Sequence, residues 1–154
     1  MIHTEVTNMV LAPYAWLAAF EAKLTTAFGV GQFGAANSFV GYMRDFNDNH
    51  PVCEMYLEHY PGMTEKQLQR IASNTVTKHD VLHVAIIHRV ETIQPGEAIV
   101  VTAAWSAHRQ AAYAACRDLI EALKHEAPFW KREQRVDDTK TLQAHWVKTN
   151  TPEQ

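Results

Sequence analysis

Cysteine is scarce in this chain: Cys53 and Cys116 are the only two among 154 residues. There is no CxxC and no HExxH, so the usual zinc spacings are missing and no metal site is expected. Both thiols are read as buried and free, one in a strand and one on a helix face, as suits a reducing cytosol. Excess positive charge is lacking too. Fourteen Lys and Arg against 17 Asp and Glu give a net charge of −3 with neutral histidines, which excludes a broad nucleic-acid footprint. Any anion site must therefore be local. Long apolar runs are absent: the stretch 10–20 is too short to span a bilayer, so no membrane contact is expected. Glu5 interrupts the start, and no basic segment precedes an apolar core. A soluble, cytoplasmic protein without a signal peptide is expected. There is no GxSxG to support a Ser–His–Asp hydrolase. Gly29, Gly31 and Gly34 do not make a dinucleotide fingerprint, because no buried strand leads into them and no helix clearly follows. No repeat, low-complexity tract or linker divides residues 1–154, so one domain is expected, with a frayed tail over about 149–154.

What is present is a mixture of strand and helix patterns in a composition that is 47% hydrophobic and 20% charged. Residues 2–10 read as a strand. Pro13 opens a helix to about 28, with Trp16, Leu17, Phe20 and Leu24 along one side. Strands follow at 37–43 and 52–60, separated by a polar loop over 44–51. Thr64 with Gln67 reads as a capping box for a helix to about 77. Residues 81–90 and 98–105 form a strand pair joined by Gln94-Pro95-Gly96. A helix, a strand at 129–136, a polar stretch at 137–143 and a short strand at 145–147 complete the chain. Mixed hairpins and helices argue for an α+β sandwich whose helices cover a mainly antiparallel sheet. Nine histidines invite a metal reading, but His79 and His83 fall where a helix runs into a strand and do not share a face.

The stretch 105–133, WSAHRQAAYAACRDLIEALKHEAPFWKRE, organises the rest. Ser106 reads as an N-cap. Ala112, Cys116, Leu119, Ile120 and Leu123 follow at helical spacing, and Pro128 forbids continuation. Cations at the helix end, Lys124 and His125, complement the dipole; His108 and Arg109 at its start do not. A helix start that carries Arg is suited to holding an anion. Lys124 and Lys131 flank a proline-ended turn beside Phe129 and Trp130. Desolvation and a neighbouring cation would lower a lysine pKa toward neutrality, making a general base or nucleophile. Solvated surface charge is the other reading, and the residues alone leave both open.

Four strings, in order, carry a resemblance: LEHYPGMTE (57–65), IHR (87–89) with PGE (95–97), SAHR (106–109) and LKHEAPFWKRE (123–133). With the F-x-G-x-x-R element from Phe39 to Arg44, they closely resemble the large, catalytic subunits of molybdopterin synthase. The match is good over about 37–133 and loose over 1–36. The resemblance implies an α/β-hammerhead fold with an additional, mainly antiparallel sheet. It implies a sulfurtransferase that builds the dithiolene of molybdopterin on cyclic pyranopterin monophosphate. Sulfur would come from the thiocarboxylated C-terminal Gly-Gly of a small ubiquitin-like subunit, bound to a central homodimer in a heterotetramer. No cofactor of its own is implied. Lys124 and Lys131 resemble the family's active-site lysines, Arg44, His108 and Arg109 its anion-binding residues, and Phe39 a residue of the same pocket.

Three departures stand against the family pattern. Glu91 replaces a frequent glycine after IHR-x, so the turn there is expected to differ. Ile120 replaces a frequent Met. Near the C-terminus, HWVKTN places Lys148 and Asn150 where the family has a W-V-E-A segment and a further arginine, so Lys148 or Arg135 would have to supply that contact. A non-catalytic member that keeps only the partner-binding scaffold is the alternative.

Overall fold

The computed structural model describes residues 1–47, 50–136 and 142–147. Its elements run β1 (Ile2–Thr7), α1 (Pro13–Phe28), β2 (Ala35–Tyr42), β3 (Phe46–Asn47), β4 (His50–His59), α2 (Met63–His79), β5 (His83–Arg89), β6 (Glu91–Ile93), β7 (Ala98–Ser106), α3 (Arg109–Glu126), β8 (Phe129–Val136) and β9 (Leu142–Val147). The tail beyond 147, with Lys148 and Asn150, lies outside the described residues, as does the polar stretch 137–141.

One sheet has the order β1-β5-β7-β2, with only β1 and β5 parallel. Every residue of β5 is buried because both faces of the sheet are covered. On one face α1 packs Phe20 and Leu24 against Ala85, Ala103 and Trp105. Pro13 opens that helix with its φ already preset, and Gly29 at φ +93° ends it. On the other face α2 and α3 seat Leu68, Ile71, Ala115, Cys116, Leu119 and Leu123 over Val84, Ile86, Val100 and Ala104. Each fully buried Leu or Ile here contributes about 1.5–3 kcal/mol relative to exposure.

A second, antiparallel sheet runs β3-β4-β8-β9, with β6 also on β4. Its inner face packs Val52, Met55, Leu57 and Ile93 with Met43. The result is the α+β architecture with an added antiparallel sheet that the sequence implied.

Several local expectations are corrected. The α2 cap is Gly62, whose N–H is accepted by the Glu65 carboxylate; Thr64 is buried in the first turn and accepts from the Tyr60 N–H. Ser106 is not the N-cap of α3. It ends β7, and its hydroxyl donates to the His108 carbonyl at 2.6 Å, leaving His108 as the capping residue. Cys116 is buried but Cys53 is exposed, because the β4 ladder shifts register between Val52 and Glu54. The turn at Glu91 keeps a left-handed conformation, φ +67°, so a glutamate holds the backbone a glycine would favour. Ile120, on α3, is partly buried and packs against the core, so the apolar character of the position is kept.

Candidate active site

The chain reverses direction between β7 and α3, and this decides which cations meet. β7 runs from Ala98 to Ser106, and α3 returns from Arg109 to Glu126. Lys124 therefore comes back to the end of the sheet where β2 finishes and Arg44 begins. Pro128 blocks further helix, Ala127 is extended at ψ 130°, and Phe129 opens β8. Strand alternation then puts Phe129, Lys131 and Glu133 on one face, opposite His59, Leu57 and Met55 of β4.

Lys131 lies half-buried on that inner face, flanked across the strands by Leu57 and Val147. Burial lowers its pKa, and the charges of Lys124 and Arg44 lower it further, while Glu133 works the other way. Glu133 is itself engaged, accepting from Asn47 Nδ2 at 2.8 Å and from Arg135 Nε at 3.0 Å. Arg135, a candidate replacement for the missing arginine, is thus engaged with Glu133. Arg44 is exposed, its guanidinium 4.9 Å above the ring of Phe46. Three cations converge here: Arg44 from the connection after β2, Lys124 from α3 and Lys131 from β8.

Beneath them sits a histidine whose role the sequence did not signal. His88 is 8% exposed and stacks on Phe129, centroids 3.8 Å apart and planes at 15°. Its Nδ1–H donates to the Arg89 carbonyl at 2.8 Å, which leaves Nε2 as the lone-pair nitrogen of the neutral ring. Burial pushes its pKa down to about 4, against a raising effect of the Arg89 carbonyl and with help from Lys131 and His59. The signal available in the sequence was a His-Arg pair following the apolar run Val84 to Ile87.

His108 and Arg109 are at the other end. Both are exposed, and with Gln110 and Tyr113 they line a hollow of about 400 Å³ at the α3 N-terminus. No acidic residue occupies that first turn. The position is fixed by a close crossing: Gly34 N–H donates to the Ser106 carbonyl at 3.0 Å, and a Cβ on Gly34 would lie 2.5 Å from the Ala107 oxygen. Phe39 lies between the two ends on the α3 face of β2, opposite Thr102 and 41% exposed.

The chain does not bring Arg44 to His108 and Arg109. The β2–β7 ladder pairs Ala35 with Ser106 at one end and Tyr42 with Ala98 at the other. Seven residues of strand separate these ends by about 23 Å. α3 is unbroken, so His108 and Lys124 stand about 24 Å apart along it. One chain thus holds two cationic groups, Arg44 with Lys124 and Lys131, and His108 with Arg109. Among the described residues no three His, Cys, Asp or Glu side chains cluster to hold a metal. His79 meets Asp118 at 2.7 Å, and His83 meets the terminal amine.

Comparison with known proteins gives a consistent set of relatives. The family profile described as MoaE protein matches residues 17–126. A molybdopterin synthase catalytic subunit of Pseudomonas aeruginosa is 48% identical over 117 residues, covering 76% of this chain and 77% of that protein. A solved molybdopterin biosynthesis MoaE protein from Burkholderia ambifaria superposes with a TM-score of 0.77 at 35% identity, covering 99% and 93% of the two chains. A chain from a protein–protein complex of subunits 1 and 2 of Helicobacter pylori molybdopterin-converting factor shares the fold, with a TM-score of 0.70 at 19% identity over 89% and 90%.

Proposed function

The chain belongs to the MoaE family of molybdopterin synthase catalytic subunits, and from that premise we propose that it transfers sulfur to cyclic pyranopterin monophosphate. The donor is the thiocarboxylated C-terminus of a small ubiquitin-like subunit, held largely through its backbone because glycines offer no side-chain handles. The observation that carries this reading is Lys131, a half-buried lysine with a depressed pKa beside a second lysine and an arginine. Attack of the thiocarboxylate sulfur on a pterin carbon builds negative charge, which a fixed ammonium stabilises. The departing substrate oxygen needs a proton, and a lysine whose pKa is lowered toward neutrality supplies it more readily than an ordinary one. Water then cleaves the acyl–sulfur link, leaving sulfur on the pterin and a carboxylate on the carrier. The same lysine pair serves that step. Arginine suits the phosphate, because its planar fork matches two phosphate oxygens at once.

The two cationic groups, about 24 Å apart on one chain, are too distant for one small pterin. A two-fold homodimer places His108 and Arg109 of one subunit against Arg44, Lys124 and Lys131 of the other, giving two equivalent sites. With one carrier on each subunit the assembly is a heterotetramer in the cytoplasm. That a chain of this fold was solved in a two-subunit complex supports the partner. Reconstitution with a thiocarboxylated ubiquitin-like carrier and cyclic pyranopterin monophosphate tests the reading, with the dithiolene product followed directly. Product that depends on both lysines is expected. A complex that forms and gives no product would leave the chain a scaffold.

A further inference from the structure

Two strings of the resemblance, IHR and PGE, remain without a part in the proposed chemistry. The fold puts them together. Arg89, at the end of β5, is 4% exposed. One Nη donates to Glu97 Oε2 at 2.6 Å and the other to the Thr92 carbonyl at 3.0 Å. Its Nε–H is buried without a hydrogen-bond partner among the described residues. A buried donor left unpaired is a cost, so the guanidinium is aimed at Glu97 and Thr92 rather than placed for full satisfaction.

Glu97 closes the turn Gln94-Pro95-Gly96-Glu97. Its N–H donates to the Gln94 carbonyl at 3.0 Å, and its carboxylate accepts the Gln94 N–H at 2.8 Å. Gly96 has φ +84°, the third-position geometry of a type II turn with proline before it. The Gln94 N–H and Arg89 hold the Glu97 carboxyl below its ordinary pKa, so it stays charged at neutral pH. This turn grips the residue before Arg44 from both sides: Met43 N–H donates to the Glu97 carbonyl at 2.9 Å, and Gly96 N–H donates to the Met43 carbonyl at 2.8 Å. On the far side of Arg44, the Asp45 carbonyl accepts the Val52 N–H at 2.8 Å. Arg44 is an exposed side chain on a backbone pinned at both neighbours.

We propose that the buried Arg89–Glu97 pair is a positioning pair for Arg44. It acts through the 94–97 turn and Met43, and it sets the distance from the Arg44 guanidinium to Lys131. This rests on the reading of Arg44 as an anion-holding residue of the sulfur-transfer site. Neither Arg89 nor Glu97 touches the substrate. A loosened turn would let Arg44 wander, weakening hold on the phosphate while leaving the lysine chemistry largely intact.

The test uses the reconstituted enzyme and two readouts. Glu97→Gln keeps the side-chain shape and removes the charge that Arg89 grips; Arg89→Lys keeps a cation and loses the two-pronged hold. In either variant, hydrogen exchange at the Met43 and Gly96 amides should speed up about tenfold or more, since a charge-assisted bond is lost. Amides in the β5–β7 ladder should hold their rates. KM for cyclic pyranopterin monophosphate should rise about tenfold with kcat nearly unchanged, the pattern of lost binding. In an Arg44→Ala background, Glu97→Gln should add nothing, because the pair acts through the missing side chain. Unchanged Met43 and Gly96 exchange overturns the brace outright. Faster exchange with fully additive kinetics overturns its role in positioning Arg44. Faster exchange while Arg44→Ala itself leaves KM untouched points elsewhere: the brace holds its turn, and the anion-holding reading of Arg44 is what fails.

Discussion

At its C-terminal end α3 carries Lys124 and His125, where the helix dipole favours cations; at its N-terminal end it carries His108 and Arg109, where the dipole opposes them. The two ends therefore carry different information. A lysine in a last helical turn is what stability alone would select, so Lys124 gains weight only from its neighbours. Lys131 is half-buried, Arg44 arrives from the connection after β2, and a neutral histidine lies beneath. An arginine in a first turn works against the helix that bears it, so its presence already asks for an anion. Convergence of neighbours marks one end, and electrostatic misfit marks the other.

The largest effects are expected at the lysines. Lys131→Ala and Lys124→Ala should each lower product formation by about a hundredfold or more, the usual worth of a placed proton donor. Lys124→Ala should leave thermal stability nearly unchanged. Lys131→Met should leave it equal or higher, because burial disfavours the ammonium it removes. Parallel loss of folding and activity would return both lysines to a structural role.

Mixed dimers should show the next largest effect. Lys124→Ala and Arg109→Ala variants, each inactive alone, should recover activity once subunits exchange, up to about half a site per chain in full heterodimer. In each mixed dimer one site carries both defects and the other carries none. Verified exchange without recovery would put the whole site within one chain.

On the lysine side, acid should expose the neutral histidine. His88 has a pKa of about 4 in the folded chain against an ordinary 6.5. Between those values the unfolded chain binds the extra proton, so stability falls as pH drops from 6.5 to 4, by about 3 kcal/mol. His88→Phe keeps the ring stack and removes the titration. Its urea-unfolding free energy should lose that much less between pH 7 and pH 4. Lys131 acts with the same sign in another window. Its folded pKa lies below the unfolded 10.5, so stability rises with pH between them and the penalty is gone above 10.5.

The smallest effect concerns Glu91, whose φ of +67° keeps the turn beside β5 left-handed. Glu91→Gly relieves strain of roughly 1–2 kcal/mol but loosens the unfolded chain, so a net gain under about 1 kcal/mol is expected. Chemical denaturation measures it, and no change in activity should accompany it.

Much of the fold was legible because long elements carry strong periodicity. The helix over 13–28 was read to its final residue, and α3 was placed correctly from its apolar spacing and Pro128. The misses share a cause: they depend on pairing and packing rather than on periodicity. β3 and β6 are two and three residues long and exist only because β4 pairs with them. Cys53 is exposed because a register shift turns it outward. Thr64 looked like a cap, yet packing took it into the core and left the capping to Gly62 and Glu65. For the site, the cationic residues and the pairing of the two lysines were legible, but the placement of Arg44 was not. Arg44 joins the lysines because β7 and α3 run in opposite directions, which no local spacing reveals. His88 and Arg89 lay in a recognised string, and only burial shows what they hold.

The chain tolerates a glutamate at a positive φ beside β5, since a torsional cost is spread over a turn with room around it. Gly34 has no such latitude. The obstacle there is the Ala107 oxygen, 2.5 Å from where a first side-chain carbon would stand. Substitution at 91 is a matter of degree, and at 34 it is a matter of volume. Descendants of this sequence can repair or ignore the first position in many ways. At the second, even alanine would have to move the backbone that presents His108 and Arg109, so inheritance there is narrowed to the residue with nothing to add.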